Sequence, residues 1–283
     1  MFKQYADVAW NPGQYKKNLT ISASAAIDYS VPAPTRGIDM LLAKFRGEEY
    51  KSEVQLLSVS ASQVPVLAKP LSEAQIAFVT DGGLVPNGNP DDLSPVNADE
   101  FYLYSFWDNS QLEKNKYEVS HQGYDNKFVL EDPNRLIPLD AAQNALSEGR
   151  ISKIFKFFYS TAGVMAPVEK AQVFGRRIAK SLKQNDVDGV ILTSTCGTST
   201  RCGAYMACEI EQAGIPVVHV TNLVHISEWV GCSRILCGNS VCHVFGNPEQ
   251  TPEQEREYRL QLFNKALNLL LALPNENASL IVY

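Results

Sequence analysis

An apolar run that stops abruptly at small polar residues constrains this chain more than any other stretch. Residues 190–192 read Val-Ile-Leu, Thr-Ser-Thr-Cys-Gly follows, and a helix-like pattern extends over residues 201–213. A strand, a tight turn and a helix in this order are typical of an open α/β sheet, whose ligands bind at the carboxyl ends of strands. The stretch therefore predicts a sheet edge that carries Cys196.

Cys196 is predicted to be a nucleophile. Unpaired backbone N–H groups and the positive end of the dipole at a helix start favour a thiolate, which is the reactive form of cysteine. Thr195, Gly197 and Thr198 would offer further donors to an anion. Arg201 adds a nearby cation, which would either orient a substrate carboxylate by paired hydrogen bonds or merely cap the surface.

Alternation of strand and helix patterns predicts the fold class. The predicted strands cover residues 76–80, 154–159, 190–192, 216–220 and 234–237. The predicted helices cover residues 38–45, 136–148, 168–183, 201–213, 226–230 and 252–273. Apolar, β-branched strands between helices indicate a doubly wound, mostly parallel sheet of the Rossmann or flavodoxin-like kind.

The domain organisation predicted from these patterns has two parts. Residues 1–70 would be an amino-terminal extension or arm, in which residues 53–66 are a strand or a docking segment. Residues 71–283 would form the α/β catalytic domain, with a division into two lobes near residue 150 as an option.

The composition excludes several classes of protein. The chain has 283 residues, 45% of them hydrophobic and 20% charged, with a net charge of −6. This balance argues against a nucleic-acid binder, which usually presents a basic face. No apolar run approaches the roughly 18 residues of a membrane span, and the first residues lack the pattern of a signal peptide. We therefore expect a cytoplasmic enzyme.

All the cysteines of the chain lie in its second half. They are Cys196, Cys202, Cys208, Cys232, Cys237 and Cys242. A secreted disulfide scaffold would distribute them over a shorter chain, and the absence of a C-x-x-C pair argues against a zinc knuckle or a thioredoxin-type motif. Cys208, Cys232 and Cys237 are expected to be plain core residues.

The histidines suggest either a catalytic base or a metal site. His219 ends the strand next to the cysteine strand, where a base for Cys196 would lie, but a satisfied buried histidine fits almost as well. His219, His225, Cys242 and His243 together could hold zinc, although their spacing matches no standard pattern. We expect no metal.

Two further segments carry candidate binding residues. Gly82 and Gly83 begin a loop that follows the first buried strand, and glycine permits close approach of the backbone to a ligand; an irregular loop explains them equally well. His121 and Asp125 flank a glycine, which suits an acid/base group or, more simply, a turn held by the aspartate.

Several spaced motifs resemble component B of the glycine, sarcosine and betaine reductases, and the related selenocysteine subunit of D-proline reductase. They are the stretch 191–203, the glycine-rich stretch 82–91, the His-Gln-Gly-Tyr-Asp at 121–125, the Glu-Asp-Pro-Asn-Arg at 131–135 and the Gly-Ile-Pro-Val-Val-His at 214–219. The resemblance covers residues 35–270 and includes His243, whereas His225 stands where the family has proline.

The family motif reads selenocysteine-x-x-Cys-x-x-Cys, and this chain departs from it twice. Cys196 stands at the selenocysteine position, Ser199 at the middle position and Cys202 at the last. Ser199 cannot form a disulfide, and Cys202 could replace it only if the loop curls. Six residues of straight helix rise about 9 Å, beyond the roughly 7 Å Cα separation that a disulfide tolerates.

The resemblance implies a reductase mechanism. The selenol of the family attacks the α-carbon of a substrate whose amine is activated by a pyruvoyl group on a partner subunit, and the adduct passes to a carrier selenoprotein. For this chain it implies that Cys196 cleaves a C–N or C–S bond of a small amino-acid-like molecule, with Cys202 as a second thiol. A partner reductase subunit or a homo-oligomer, an external thiol reductant and a pyruvoyl group supplied only by a partner are expected.

Three alternatives stay open at this point. A desulfidase would take sulfur from a thiocarbonyl compound as a persulfide on Cys196 and would need no pyruvoyl partner. A two-cysteine racemase would need a second thiol facing Cys196 from the opposite lobe, although every cysteine lies in one half of the chain. A binding or assembly subunit with an inactive site is the third alternative.

Overall fold

A computed structural model describes residues 28–50, 64–106, 109–274 and 279–283. The chain divides into two compact units, Met1–Leu57 and Ser58–Tyr283. In the first unit, helix α1 (Ala33–Arg46) contains the predicted helix 38–45 and ends at Gly47, whose φ of 71° is left-handed. Most of the predicted segment 53–66 lies outside the described residues. The domain boundaries near residues 70 and 150 stay predictions.

The second unit alternates strands and helices. Its described strands are β1 (Gln75–Thr80), β2 (Leu84–Pro86), β3 (Tyr102–Ser105), β4 (Tyr117–Val119), β5 (Lys153–Ser160), β6 (Gly189–Thr193), β7 (Val217–Thr221), β8 (Arg234–Cys237) and β9 (Leu280–Val282). Its described helices are α2 (Lys127–Glu131), α3 (Leu139–Ser147), α4 (Val168–Gln184), α5 (Gly197–Gln212), α6 (Val224–Val230) and α7 (Pro252–Leu271). No helix in the described ranges has both the length and the apolar character that crossing a membrane requires.

The main sheet confirms the predicted fold class. Its strand order is β3-β5-β1-β6-β7-β8-β9, and every neighbouring pair except β3–β5 is parallel. From β5 to β8 this is the 2-1-3-4-5 order of flavodoxin-like sheets, which reverses direction between the first and third strands. Here the reversal lies between β1 and β6, so ligands are expected at their carboxyl ends.

Helices cover both faces of this sheet because successive strand residues point to opposite sides. Ile76 and Phe78 of β1 belong to an apolar cluster that includes residues of α3 and α7. Ala77 and Val79 belong to a second cluster that includes residues of α4 and α5. β6 and β7 are buried along their whole length, which explains why their sequences read as continuous apolar runs.

The described elements that the patterns did not predict depend on tertiary pairing. β3 is an antiparallel edge strand against β5, β9 is a short edge strand beside β8, and β2 pairs with β4 in a separate antiparallel sheet. Strands of three or four residues carry little periodicity, and their formation depends on the neighbours they meet.

Helix α7 is anchored by a buried arginine. Thr251 caps its amino end in a capping box with Gln254. In its third turn, Arg259 is 2% exposed; its guanidinium donates to the carbonyl of Phe245 and forms ion pairs with Asp132 and Asp140. A charge this deeply buried is tolerated only when it is paired and hydrogen-bonded.

We predict that Arg259→Met destabilises the fold by about 3 kcal/mol, because it leaves Asp132 and Asp140 without their partner inside the protein. Urea unfolding measures the change. Arg256→Met is the matched control, since Arg256 lies on the same helix but is exposed and, within the described part of the chain, pairs with Glu253 alone. It should change the free energy of unfolding by less than about 0.5 kcal/mol. Equal effects of the two substitutions would contradict the anchoring role.

Candidate active site

Cys196 lies at the carboxyl end of β6 and is the N-cap residue of α5. Its backbone is extended, with φ −70° and ψ 179°, and its carbonyl accepts the first helical hydrogen bond from Thr200 N at 2.8 Å. The thiol is partly exposed, while Ser199 and Thr200 behind it are buried. The sulfur therefore lies at the reversal point of the sheet, beside the free N–H groups of a helix start.

A glycine from a distant loop packs directly on this sulfur. A Cβ atom added to Gly123 would lie 2.7 Å from Cys196 Sγ and 2.7 Å from His121 Cε1. Only glycine permits this approach, so the loop of residues 121–125 forms one wall of the site.

The same loop brings His121 into hydrogen-bond contact with α5. Gly123 N donates to His121 Nδ1 at 3.0 Å, so the neutral ring carries its proton on Nε2, and Nε2 lies 2.7 Å from Ser199 Oγ. Burial lowers the pKa of His121 from 6.5 to about 4, which keeps the ring neutral near pH 7. The Cys196 thiol donates to the same Ser199 Oγ at 3.4 Å. The structure therefore connects His121, Ser199 and Cys196 by consecutive hydrogen bonds.

A second wall, which adjoins the first where Val164 meets Gly123, comes from the segment before α4. Met165 N donates to Thr198 Oγ1 at 3.1 Å, and Thr198 Oγ1 lies 3.8 Å from Cys196 Sγ. Met165 has a left-handed φ of 60° and is 62% exposed, so its side chain stands near the mouth of the site. Arg201 donates to the carbonyl of Ala166 at 3.1 Å, which ties α5 to this segment.

Beneath the cysteine loop, buried polar groups connect the ends of three adjacent strands. Ser194 Oγ hydrogen-bonds both Asp81 Oδ2 and His219 Nε2, the latter at 2.7 Å, and His219 Nδ1 lies 2.7 Å from Ser227 Oγ. Burial raises the pKa of Asp81 well above its usual value, against the opposing effect of the Ser194 hydrogen bond. Ser194 donates to Asp81 and therefore accepts from His219 Nε2, and His219 Nδ1 accepts from Ser227.

This chain of hydrogen bonds explains a glycine inside α5. A Cβ atom added to Gly203 would lie 2.0 Å from Ser194 Oγ, 2.5 Å from Asp81 Oδ2 and 2.9 Å from His219 Nε2. The helix can approach the strand ends only because position 203 has no side chain. That close approach fixes the position of Cys196, about two helical turns earlier.

Tyr124 is a site residue that the sequence patterns did not single out. Its hydroxyl donates to the carbonyl of Gly82 at 2.9 Å, and its ring centroid lies 4.9 Å from that of His121. Burial raises the pKa of the phenol well above its usual value, and the negative charges of Asp81, Cys242 and Cys196 add to the shift. The contacts with Gly82 and His121 place the phenol in the wall that carries Gly123.

The other predicted site residues lie around this centre in different roles. Gly82 and Gly83 are buried; Gly82 packs on the side chains of Leu136 and Thr195, and Gly83 packs on the carbonyl of Ser120. Asp125 is exposed, and its carboxylate accepts from Lys127 N. This contact is typical of a turn held by an aspartate, the simpler of the two predictions for this residue. Thr195 is buried, and its Oγ1 has no hydrogen-bond partner among the described residues.

Neither ring nitrogen of His219 contacts Cys196, because both are engaged by serines. Cys202 is 1% exposed in the apolar cluster of α4 and α5, and burial raises its thiol pKa well above the usual value. The catalytic roles of His219 and Cys202 stay predictions without support from these contacts.

His243 and His225 lie in separate surroundings and do not form a common metal site. His243 Nδ1 lies 2.9 Å from the carbonyl of Gly246 and its ring packs edge-on against Phe128, whereas His225 is exposed beside Glu228. Within the part of the chain that the structure describes, no three His, Cys, Asp or Glu side chains come together as a metal site.

Comparisons with known proteins identify the family. The family model described as glycine/sarcosine/betaine reductase selenoprotein B matches residues 19–195, more than half of the chain. No solved structure matches the chain.

Curated relatives agree with that match. The chain is 42% identical over 83% of its length to a glycine reductase complex component B subunit gamma from Carboxydothermus hydrogenoformans, covering 54% of that relative. It is 39% identical over 84% of its length to a betaine reductase complex component B subunit beta from Peptoclostridium acidaminophilum, covering 55% of that protein.

A partial match supports the second expected resemblance. The chain is 32% identical over 41% of its length to a D-proline reductase subunit gamma from Acetoanaerobium sticklandii, of which it covers 48%. The chain spans about half the length of these curated relatives. From the family-model match and the two longer alignments together, the chain belongs to the glycine/sarcosine/betaine reductase selenoprotein B family.

Proposed function

We propose that the chain is the nucleophile-bearing part of a reductase, in which Cys196 attacks a small amino-acid-like substrate and cleaves a C–N bond. The observation that carries the proposal is a partly exposed thiol at the start of a 16-residue helix, in contact with Ser199. As the S–C bond forms, the C–N bond breaks and its electron pair leaves with the nitrogen as an amine. A C–S bond is the second candidate for cleavage.

Ser199 supports both ionisation states of the nucleophile. Its oxygen accepts from the thiol at 3.4 Å, and after the proton leaves, its own hydrogen can turn toward the sulfur. The proton on His121 Nε2 occupies another lone pair of Ser199 at 2.7 Å, which holds the hydroxyl in place. A hydrogen bond to a charged sulfur is stronger than one to a neutral thiol, so this contact strengthens when the sulfur carries charge during the attack.

His121 acts as a positioning residue in this proposal. Because its pKa is about 4, it carries no positive charge at neutral pH and does not take the thiol proton as a preformed base would. Gly123 fixes its tautomer and also packs on the sulfur, so one loop controls both the orientation of Ser199 and the access to Cys196.

The start of α5 is suited to a substrate carboxylate. The N–H groups of Gly197 and Thr198 lie in the first helical turn, where an anion meets unpaired donors and the positive end of the dipole. Arg201 lies in the second turn of α5. Its guanidinium is held by the carbonyl of Ala166, in the segment before α4. Substrates that carry a carboxylate next to the cleaved bond fit this arrangement, and glycine and betaine are the ones named by the relatives.

Partner subunits enter the proposal because the relatives are named as parts of complexes. A pyruvoyl group on a partner would supply activation of the substrate amine. The part of this chain is to present a partly exposed Cys196, with Met165 exposed at the mouth, to an electrophile that another subunit holds. An external thiol would then reduce the site.

Trapping on the intact protein tests the proposal. The full chain is incubated with glycine, sarcosine, betaine and small thio-compounds, with and without dithiothreitol and the partner subunit, and the mass of each cysteine peptide is measured. We expect a carbon-bound adduct on Cys196 that Cys196→Ser abolishes. A persulfide at this position would indicate the desulfidase, and deuterium uptake at the α-carbon without cleavage would indicate the racemase. An unmodified Cys196 under all conditions would favour the inactive subunit.

Replacing Ser199 tests the support of the thiolate. We predict that Ser199→Ala lowers the rate of Cys196 alkylation by iodoacetamide near neutral pH by about ten-fold, because a hydrogen bond to a charged group contributes roughly 1.5 kcal/mol or more. Peptide mass spectrometry follows the rate at each cysteine. Ser147→Ala, on an exposed serine whose hydroxyl donates to the carbonyl of Asn144, is the control and should leave the rate unchanged. A rate equal to that of the unaltered chain in Ser199→Ala would contradict the role.

The lowered pKa of His121 predicts a pH dependence of stability. Between pH 6.5 and pH 4 the unfolded chain binds a proton that the folded chain refuses, so stability falls as the pH falls through this range. We expect the free energy of unfolding to drop by about 2 kcal/mol from about pH 7 to about pH 5 because of this group.

His121→Gln should remove that part of the pH dependence, as measured by urea unfolding at both pH values. His225→Gln is the matched control, because His225 is exposed and should leave the dependence intact. A pH profile that is the same in all the proteins would show that His121 is not buried as described.

A further inference from the structure

We propose that Cys242 is the second thiol of the active site, and that it resolves the adduct on Cys196 by forming a disulfide with it. The proposal rests on the proposed function of Cys196. It assigns the reducing partner to a cysteine outside the 196–202 stretch.

The loop that carries Cys242 is tied to the helix that carries Cys196. Residues 238–246 follow β8 at the carboxyl edge of the sheet, where Gly238 N donates to the carbonyl of Thr221 at 3.1 Å. Asn222 Nδ2 donates to the carbonyls of both Gly238 and Asn239. Thr221 Oγ1 in turn lies 2.8 Å from Thr200 Oγ1, in the first turn of α5.

The other side of this loop contacts the segment that covers the Cys196 sulfur. The ring of His243 packs against Phe128 of α2 at 5.0 Å, and Phe245 N donates to the carbonyl of Arg135. Helix α2 follows directly on the loop that places Gly123 against Cys196 Sγ. The Cys242 loop therefore spans from the β7 side of the site to the wall that His121 and Gly123 form.

The segment of residues 123–128 lies between the two cysteines. Gly123 packs on Cys196 Sγ, and Phe128 packs on His243, the residue after Cys242. Between them, the hydroxyl of Tyr124 donates to the carbonyl of Gly82 at 2.9 Å, which fixes the segment against the end of β1. The two cysteines therefore flank one short segment.

Cys242 is also the cysteine that the fold leaves available for this role. Cys202, Cys208 and Cys232 are buried, with at most 4% of each exposed. Cys237 donates to the carbonyl of Gly238. Cys242 is partly exposed, and its own N–H is held by Ser240 Oγ, which fixes the backbone at the thiol.

The chemistry of the reaction requires a second sulfur. After C–N cleavage the substrate carbon is bound to Cys196 as a thioether. The Cys242 thiolate attacks the Cys196 sulfur, so the S–S bond forms, the C–S bond breaks, and the carbon leaves with the electron pair and takes a proton. A carboxylate next to that carbon delocalises the pair as an enolate. Overall, an amine and two thiols give the reduced product, ammonia and one disulfide, which an external dithiol reduces.

A thiol-bridging reagent tests the proximity directly. Dibromobimane becomes fluorescent only after it has alkylated two neighbouring thiols, and peptide mass spectrometry locates the bridge. With the full, reduced chain we expect a bridge between Cys196 and Cys242, and a disulfide between them after limiting hydrogen peroxide, which is reduced to water. Cys242→Ser should lower the fluorescence by at least about ten-fold, whereas Cys237→Ser, on the neighbouring partly buried cysteine, should leave it unchanged.

The outcomes separate this proposal from the one on which it rests. Rapid single alkylation of Cys196 without a bridge to Cys242 would overturn the role of Cys242 and leave Cys196 as the nucleophile. An unreactive Cys196 would overturn both. A bridge from Cys196 to Cys202 would assign resolution to the thiol that the family motif implies and would overturn the role of Cys242.

Discussion

A buried chain of hydrogen bonds across three strand ends is the constraint on which the site depends. Asp81 follows β1, Ser194 follows β6 and His219 belongs to β7, and the serine bonds to both of the others. Helix α5 reaches this chain only because Gly203 has no side chain. The position of Cys196 is therefore set by packing several residues away, at the point where the sheet reverses its order.

The site combines a partly exposed sulfur with a rigid, neutral surrounding. His121 is kept uncharged by burial and orients Ser199 rather than supplying a cation. In the proposed function, the Ser199 hydroxyl and the backbone at the helix start are the groups that stabilise charge on the Cys196 sulfur. The motif that the chain resembles has a cysteine at the middle position, where this chain has Ser199. Under the proposed function, the second thiol must therefore come from another part of the fold.

Periodicity predicted the framework because the central strands are buried on both faces. The apolar runs at 76–80, 190–192 and 216–220 correspond to β1, β6 and β7, and Cys196 lies between β6 and the helix that follows it, as predicted. The start of α5 lies four residues earlier than predicted, since Gly197 to Thr200 are poor helix formers that the hydrogen bonds of Ser199 and Thr200 hold in place.

The contacts within the site were not predictable in the same way. His121 and Ser199 are 78 positions apart, and their hydrogen bond depends on a backbone approach at Gly123 that no local pattern encodes. His219 was placed correctly on its strand, but its ring turned out to be occupied by Ser194 and Ser227. Sequence periodicity gives the face of an element, whereas these partners follow from how loops fold over the sheet.

The rate at which each cysteine reacts with iodoacetamide in the native chain, resolved by peptide mass spectrometry across pH, tests the central claim most directly. The account predicts that Cys196 reacts first and that Cys202, Cys208 and Cys232 react only after unfolding. A Cys196 that reacts no faster than Cys237, which is also partly buried, would contradict it.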